Sequence, residues 1–228
     1  MNLPPRDSRR DQLTAKLTRF WKTEGDHARI ADMIRSMDAR YDLIEKTTQE
    51  QDVFEVVTEM VARLANSFRR LSEIEGKTFL DIPCGSNSSR APAPHSFNAR
   101  FSPRSSRWPT SGYAAQFEPW FCRILFEFGA APVGVDIGDL EGESFTHYRV
   151  DLGDQGALDF LPSGSFDAVQ DSRLFGSPEF TAQFPNQADR LKVAREIVRQ
   201  EQRLLKPGGV VIHSDAADLL SYQKKPDC

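Results

Sequence analysis

Three aspartates each stand at or just before the end of a short apolar run: Asp81 in FLDIPCG, Asp136 in VGVDIG and Asp151 in YRVDL. A single aspartate in such a place commonly caps a helix or sits solvated in a loop. Three of them on successive runs invite a chemical reading. An ionised carboxylate only accepts hydrogen bonds. One carboxylate can therefore take both hydroxyls of a ribose, and another the amino group of an adenine. Gly85 follows Asp81 by four positions and would let backbone approach a ligand with no Cβ in the way.

The same stretch says what the ligand lacks. A dinucleotide site opens its helix with G-x-G-x-x-G, which seats a pyrophosphate on the helix amino end. Here the residues run D-I-P-C-G-S-N with one glycine, and no G-x-x-x-x-G-K-[ST] occurs in the chain. The missing glycines weigh against a nicotinamide-dependent dehydrogenase. They suit a ligand with an amine and a ribose but no phosphate, and S-adenosylmethionine is such a ligand.

Only a parallel sheet brings these aspartates together. TFLDI, APVGVDI, HYRVDL, FDAVQDS and VVIHSD are too short for helices and lie between turn residues, which predicts five buried strands. Between them, Phe117, Phe121, Ile124, Leu125 and Phe128 line one helical face, with Pro119 in the first turn and Gly129 at the stop. A second helix spans Gln187 to Leu205 on Leu191, Ala194, Ile197, Val198 and Leu205, and KPGG breaks it. The alternation predicts an α/β fold: a Rossmann-like, doubly wound, mainly parallel sheet with helices on both faces. Ligands of such sheets bind outside the carboxyl ends of the strands, where the aspartates are expected.

Residues 1–75 read as an N-terminal helical extension and a substrate cap. Leu13, Leu17, Phe20 and Trp21 share one face, and Ala31, Ile34 and Met37 another. Val53, Val57, Met60, Leu64, Phe68 and Leu71 recur at steps of three and four, with Asp52 as N-cap and Gly76 as the stop. Residues 76–228 form the sheet domain. It is interrupted at about 87–112 by a stretch dense in Ser, Pro and Arg with neither period, an irregular insertion.

Taken in order, FLDIPCGS, VGVDI, YRVDL, SFDAVQDS and LLKPGGVVIHSD resemble the motifs of the class I S-adenosylmethionine-dependent methyltransferases, from about Thr78 to Asp215. The resemblance implies that Asp81, Pro83, Gly85 and Ser86 surround the methionine part of the cofactor. It implies that Asp136 holds the ribose, Ile137 packs on the adenine, and Asp151 and Leu152 read its edge. Asp171 and Ser172 would face the methyl donor and the substrate. The implied activity is methyl transfer to an O, N or C nucleophile of a small-molecule acceptor, with His213 or Asp171 as candidate base. No N/D-P-P-Y/F/W follows the fourth strand, only QDSRLF, which weighs against amino-group acceptors of adenine or glutamine.

Pro83 and Asn87 stand where the family's loop carries glycines, and thirteen residues follow Asp215 (228 − 215 = 13) where the family adds a hairpin. The fifth strand is then an exposed edge through which a second copy could pair. These departures support an alternative, a catalytically inactive methyltransferase-like protein acting through protein contacts.

Composition narrows the classes. With 39% hydrophobic and 27% charged residues, the chain has the balance of a folded globular protein. Its net charge of −4 offers no basic field to recruit nucleic acid. Cys84, Cys122 and Cys228 make no C-x-x-C pair and no Cys/His cluster, so no metal site is expected and a reducing compartment is. MNLPPRDSRRDQL lacks the apolar core of a secretory signal, and no run approaches the roughly 18 apolar residues of a membrane helix. The expectation is a soluble cytoplasmic protein.

Overall fold

The computed structural model describes residues 5–49, 51–85, 115–138, 140–175 and 178–222. Ser86 and the insertion at 87–112 lie outside them. Four helices come first: α1 (Arg6–Leu17), α2 (Glu24–Tyr41), α3 (Leu43–Gln49) and α4 (Gln51–Ser67). The Thr23 hydroxyl caps α2 by accepting the Asp26 amide. The stripe from Val53 to Leu71 is buried, as its spacing predicts. Two boundaries differ. Asp52 lies inside α4 rather than capping it, and the helix ends at Ser67, with a separate 3-10 turn at Leu71–Glu73 before Gly76. Phe20 is 37% exposed while Trp21 is buried. The chain tightens to a 3-10 turn at Thr18–Phe20, and three residues per turn rotate Phe20 off the apolar face.

The sheet follows: β1 (Thr78–Ile82), α5 (Trp120–Glu127), β2 (Ala131–Asp136), β3 (Thr146–Arg149), β4 (Phe166–Asp171), α6 (Pro178–Gln183), α7 (Gln187–Leu204), β5 (Leu205–Ser214) and α8 (Asp215–Tyr222). All pairings are parallel, in the order β3-β2-β1-β4-β5. The chain winds outward from β1 to β3, then returns to lay β4 on the other side of β1. That reversal is the switch point of a doubly wound sheet.

Helices cover both faces. On one, Phe79 and Ala168 join a single apolar cluster with residues of α1 to α5. On the other, Leu80, Ile82, Val135 and Val169 pack with Leu204 of α7 and with Leu158 and Leu161 from the turns before β4. Burying about 25 cal/mol for each Å² of apolar surface drives both contacts. Asn186 starts α7 by accepting the amides of Ala188 and Asp189. α7 ends at Leu204, just ahead of KPGG as expected, but KPGG itself lies within β5, whose pairing with β4 shifts register between Phe166 and Ala168 and again between Val169 and Gln170. Val210 and Val211 on this outer strand are 38% and 44% exposed. Among the described residues, no helix is long and apolar enough to cross a membrane.

Charge ties the helical layer to the sheet domain. Lys46 of α3 lies 2.7 Å from Glu118, and Arg123 of α5 bonds both Glu118 and Glu143. The Arg123 guanidinium also lies 4.0 Å from the Tyr41 ring centroid. Arg123 and Glu118 are both buried, which is tolerable because two cations face two carboxylates.

Candidate functional site

Two rows of polar side chains cross the carboxyl ends of β1, β4 and β5, one on each face. Asp81 and Gln170 pair in register on the face that carries α4 and α5, and His213 pairs with Gln170 beyond a register shift that makes Ile212 an extra residue in β5. Ile82, Asp171 and Ser214 are the next residues along and share the opposite face, under α7. A one-residue step in a strand thus separates two chemistries.

On the α5 face, Gln170 Nε2 donates to Asp81 Oδ1 at 3.2 Å, and the Cys122 thiol donates to Oδ2 at 3.7 Å. Burial pushes the Asp81 carboxyl up to about 7. Gln170 is fully buried, and its Oε1 has no hydrogen-bond partner. An orphaned buried acceptor is rare enough to call for a donor. In the same row, His213 Nε2–H donates to Asp215 Oδ1 at 2.7 Å. Asp218 brings a third donor atom within 4.8 Å of these two. The hydrogen bond accounts for the closeness of His213 and Asp215 without an ion.

At the switch point, Asp136 joins the loops after β1 and β2. Its Oδ2 accepts the Gly85 amide at 3.0 Å and its Oδ1 the Gly138 amide at 2.7 Å. Gly85 and Asp136, 51 positions apart, are thereby brought into direct contact. Gly85 is needed here for a different reason from the expected ligand approach. Its φ is +90°, and a Cβ on it would stand 2.1 Å from the carbonyl oxygen of Phe117. The protein's own backbone fills the space. Pro83 completes the turn between β1 and this glycine, and Cys84, just before Gly85, is buried against Gly134. Burial pushes the Cys84 thiol up to about 11, as befits an inert filler.

The remaining expected residues are dispersed. Ile137 is half-buried, and its carbonyl accepts from Arg149 at 3.0 Å. Asp151 accepts the Gly153 amide at 2.8 Å and Gln183 Nε2 at 3.3 Å, so it shapes the turn after β3. It also lines a surface cavity of about 490 Å³ with Tyr148, Arg149 and Phe160, at the β3 edge of the sheet. Leu152 packs between the two apolar clusters on the α7 side. The Ser172 amide donates to the Ile82 carbonyl at 3.0 Å, tying the end of β4 to β1.

Asp171 departs from the expectation that it faces donor and substrate. Its carboxylate is fully buried on the α7 face, where it accepts from Ser214 at 2.6 Å and from the Ala216 amide. Strand alternation is the cause: Gln170, not Asp171, points to the side of Asp81. Sequence reading missed Gln170, Asp215 and Glu201. Gln170 was signalled by a polar residue inside an otherwise apolar strand. Glu201 was signalled by its place on the buried stripe of α7, between Ile197 and Leu204. Asp215 left no signal apart from its adjacency to His213. Comparison of the chain with protein-family models, with curated proteins and with solved structures finds no match.

Proposed function

We propose that the chain is an S-adenosylmethionine-dependent methyltransferase acting on a small-molecule O, N or C nucleophile. The observation that carries the reading is the Asp136 bridge, which sets a carboxylate beside the Gly85 loop at the switch point of an all-parallel sheet. The residues fit the cofactor's polar groups. The Asp136 carboxylate is an acceptor beside the Gly85 and Gly138 amides, and a ribose diol is a donor. Gln170 Oε1 and the Asp81 carboxyl offer acceptors to an amino group. Asp151, turned towards Gly153 and Gln183, would meet an adenine amino group only by sharing those bonds.

S-adenosylmethionine, when bound, supplies a methyl group on a positively charged sulfur, already activated for displacement. The chain's own task is to orient the acceptor, exclude water and take a proton. His213 is the base in this reading: Asp215 fixes its Nε2–H tautomer and would stabilise the imidazolium formed when Nδ1 takes the acceptor's proton. Asp171, locked to Ser214 and Ala216, is not a candidate for that role.

The test is transfer of an isotopically labelled methyl group to a panel of small-molecule acceptors. His213→Asn should lower transfer by about 10²–10⁴-fold while leaving cofactor affinity within about twofold. Unchanged transfer would remove His213 from the mechanism. The alternative, a non-catalytic relative acting through protein contacts, is favoured by the exposed Val210 and Val211 on the outer strand. It predicts no transfer to any acceptor and a change of oligomeric state on replacing both valines by lysine.

A further inference from the structure

We propose that Glu201 carries a proton at neutral pH and acts as a positioning residue, holding through Ser214 and Asp171 the end of β5 and the start of α8. The protons around Ser214 are too few for two ionised carboxylates. The Ser214 hydroxyl lies 2.6 Å from Asp171 Oδ2 and 3.0 Å from Glu201 Oε2, and its oxygen also accepts the Ala217 amide at 3.1 Å. One hydroxyl has one proton and can donate to only one of the two carboxyls. The other carboxyl must therefore bring its own.

Geometry says which one. Asp171 accepts the Ala216 amide, at 3.2 and 3.3 Å, in addition to Ser214, so a charge on it is met by donors. Among the described residues, Glu201 is met by Ser214 and the Asp171 carboxyl, and its Oε1 is buried with no hydrogen-bond partner. The chain of donation runs from Glu201 O–H to Ser214 Oγ, and from Ser214 O–H to Asp171. All three residues are at most 8% exposed.

Among the described residues, no cation is bonded to the pair. β4 contributes Asp171 and β5 contributes Ser214, while His213 is turned to Asp215. α8 contributes Asp215, whose charge further raises the Asp171 carboxyl. On α7 itself, Arg199 pairs with Glu196, and Arg203 binds the carbonyls of Leu158 and Leu161. Burial first, and Asp171 next, push the Glu201 carboxyl up to about 8.

The consequence rests partly on the functional reading, because α8 opens with Asp215, the partner of His213. The test does not. Unfolding equilibria of the full chain and of Glu201→Gln are measured from pH 5 to pH 8. Gln supplies an N–H donor in place of the acid O–H and cannot lose it. The wild type gains a proton on folding at Glu201, so its unfolding constant should rise about tenfold per pH unit relative to the variant. Parallel curves would overturn the proposal. Should Glu201→Gln fail to fold, the wild type labelled with ¹³C only at glutamate carboxyls decides. A buried glutamate that titrates well above pH 6 is expected, and full ionisation of all glutamates by pH 6 would overturn the proposal. Under the functional reading, Glu201→Gln also keeps its methyl-transfer rate to higher pH than the wild type. Loss of transfer in both proteins with a surviving stability difference would sink the enzyme and spare the proton.

Discussion

The two polar rows at the strand ends are built from similar side chains and behave as opposites. On the α5 face, Asp81 and Gln170 leave a buried acceptor unmet, and His213 presents a ring nitrogen beyond its bond to Asp215. On the α7 face, Asp171, Ser214 and Glu201 turn towards one another and to the amides that open α8. The first row leaves Gln170 Oε1 unmet beside the switch point, which suits a place waiting for a ligand. The second turns inward on itself and on the start of α8, which suits a joint, although Glu201 Oε1 is also left without a hydrogen-bond partner. An unmet buried acceptor costs stability in either row.

Cutting the closed row should hurt most. Asp171→Ala strands the Ala216 amide in a buried place and leaves the Ser214 hydroxyl with Glu201 alone, at a cost of about 2–3 kcal/mol. Urea melts read this directly, and a loss under about 0.5 kcal/mol would mean that α8 is not docked as described. Gly85→Ala comes next: a methyl at φ +90° against the Phe117 carbonyl should cost about 2 kcal/mol or more. It should weaken cofactor binding through the loop, and a wild-type melting temperature would contradict the packing.

The open row predicts the reverse balance between stability and function. The folded Asp81 carboxyl is raised from 3.8 to about 7 by burial. Its contribution to stability is complete below pH 3.8 and is lost as pH rises through about 7. Asp81→Asn, uncharged throughout, should therefore gain on the wild type by about tenfold in the unfolding constant per pH unit between these values, until the curves run parallel. The same variant should lose cofactor affinity. A variant that is less stable than the wild type at pH 8 would show Asp81 to be a structural carboxylate. His213→Asn should move stability least, by less than about 0.5 kcal/mol, because His213 is partly exposed and its loss frees only Asp215. A larger loss would place the His213–Asp215 bond among the joints rather than in the site.

Much of this was legible in the chain. Short runs separated by helical periods point to a parallel sheet, although β3 is largely exposed rather than buried, and three aspartates lie towards the carboxyl ends of its strands, where such sheets take ligands. The Asp136–Gly85 contact follows once the strand order is known, since β1 and β2 are neighbours. What the letters did not reveal is which way each side chain points at a strand end. Asp171 and Gln170 are adjacent, both polar and both buried, and only the register against β1 and β5 assigns one to each face. Gly85 was legible as a necessary glycine, but its reason was not: the constraint comes from Phe117, far along the chain. Glu201 was hidden by habit, since a glutamate on a helix is usually solvated. Its position on the apolar stripe of α7 was the available clue.

Isothermal titration of the folded chain with S-adenosylmethionine and with S-adenosylhomocysteine decides the proposal that the loop after β1 and Asp136 hold the cofactor. Saturable binding of both is expected, removed by Asp136→Ala in a variant that still melts cooperatively. A wild-type chain that melts cooperatively and takes up neither ligand would overturn the proposal.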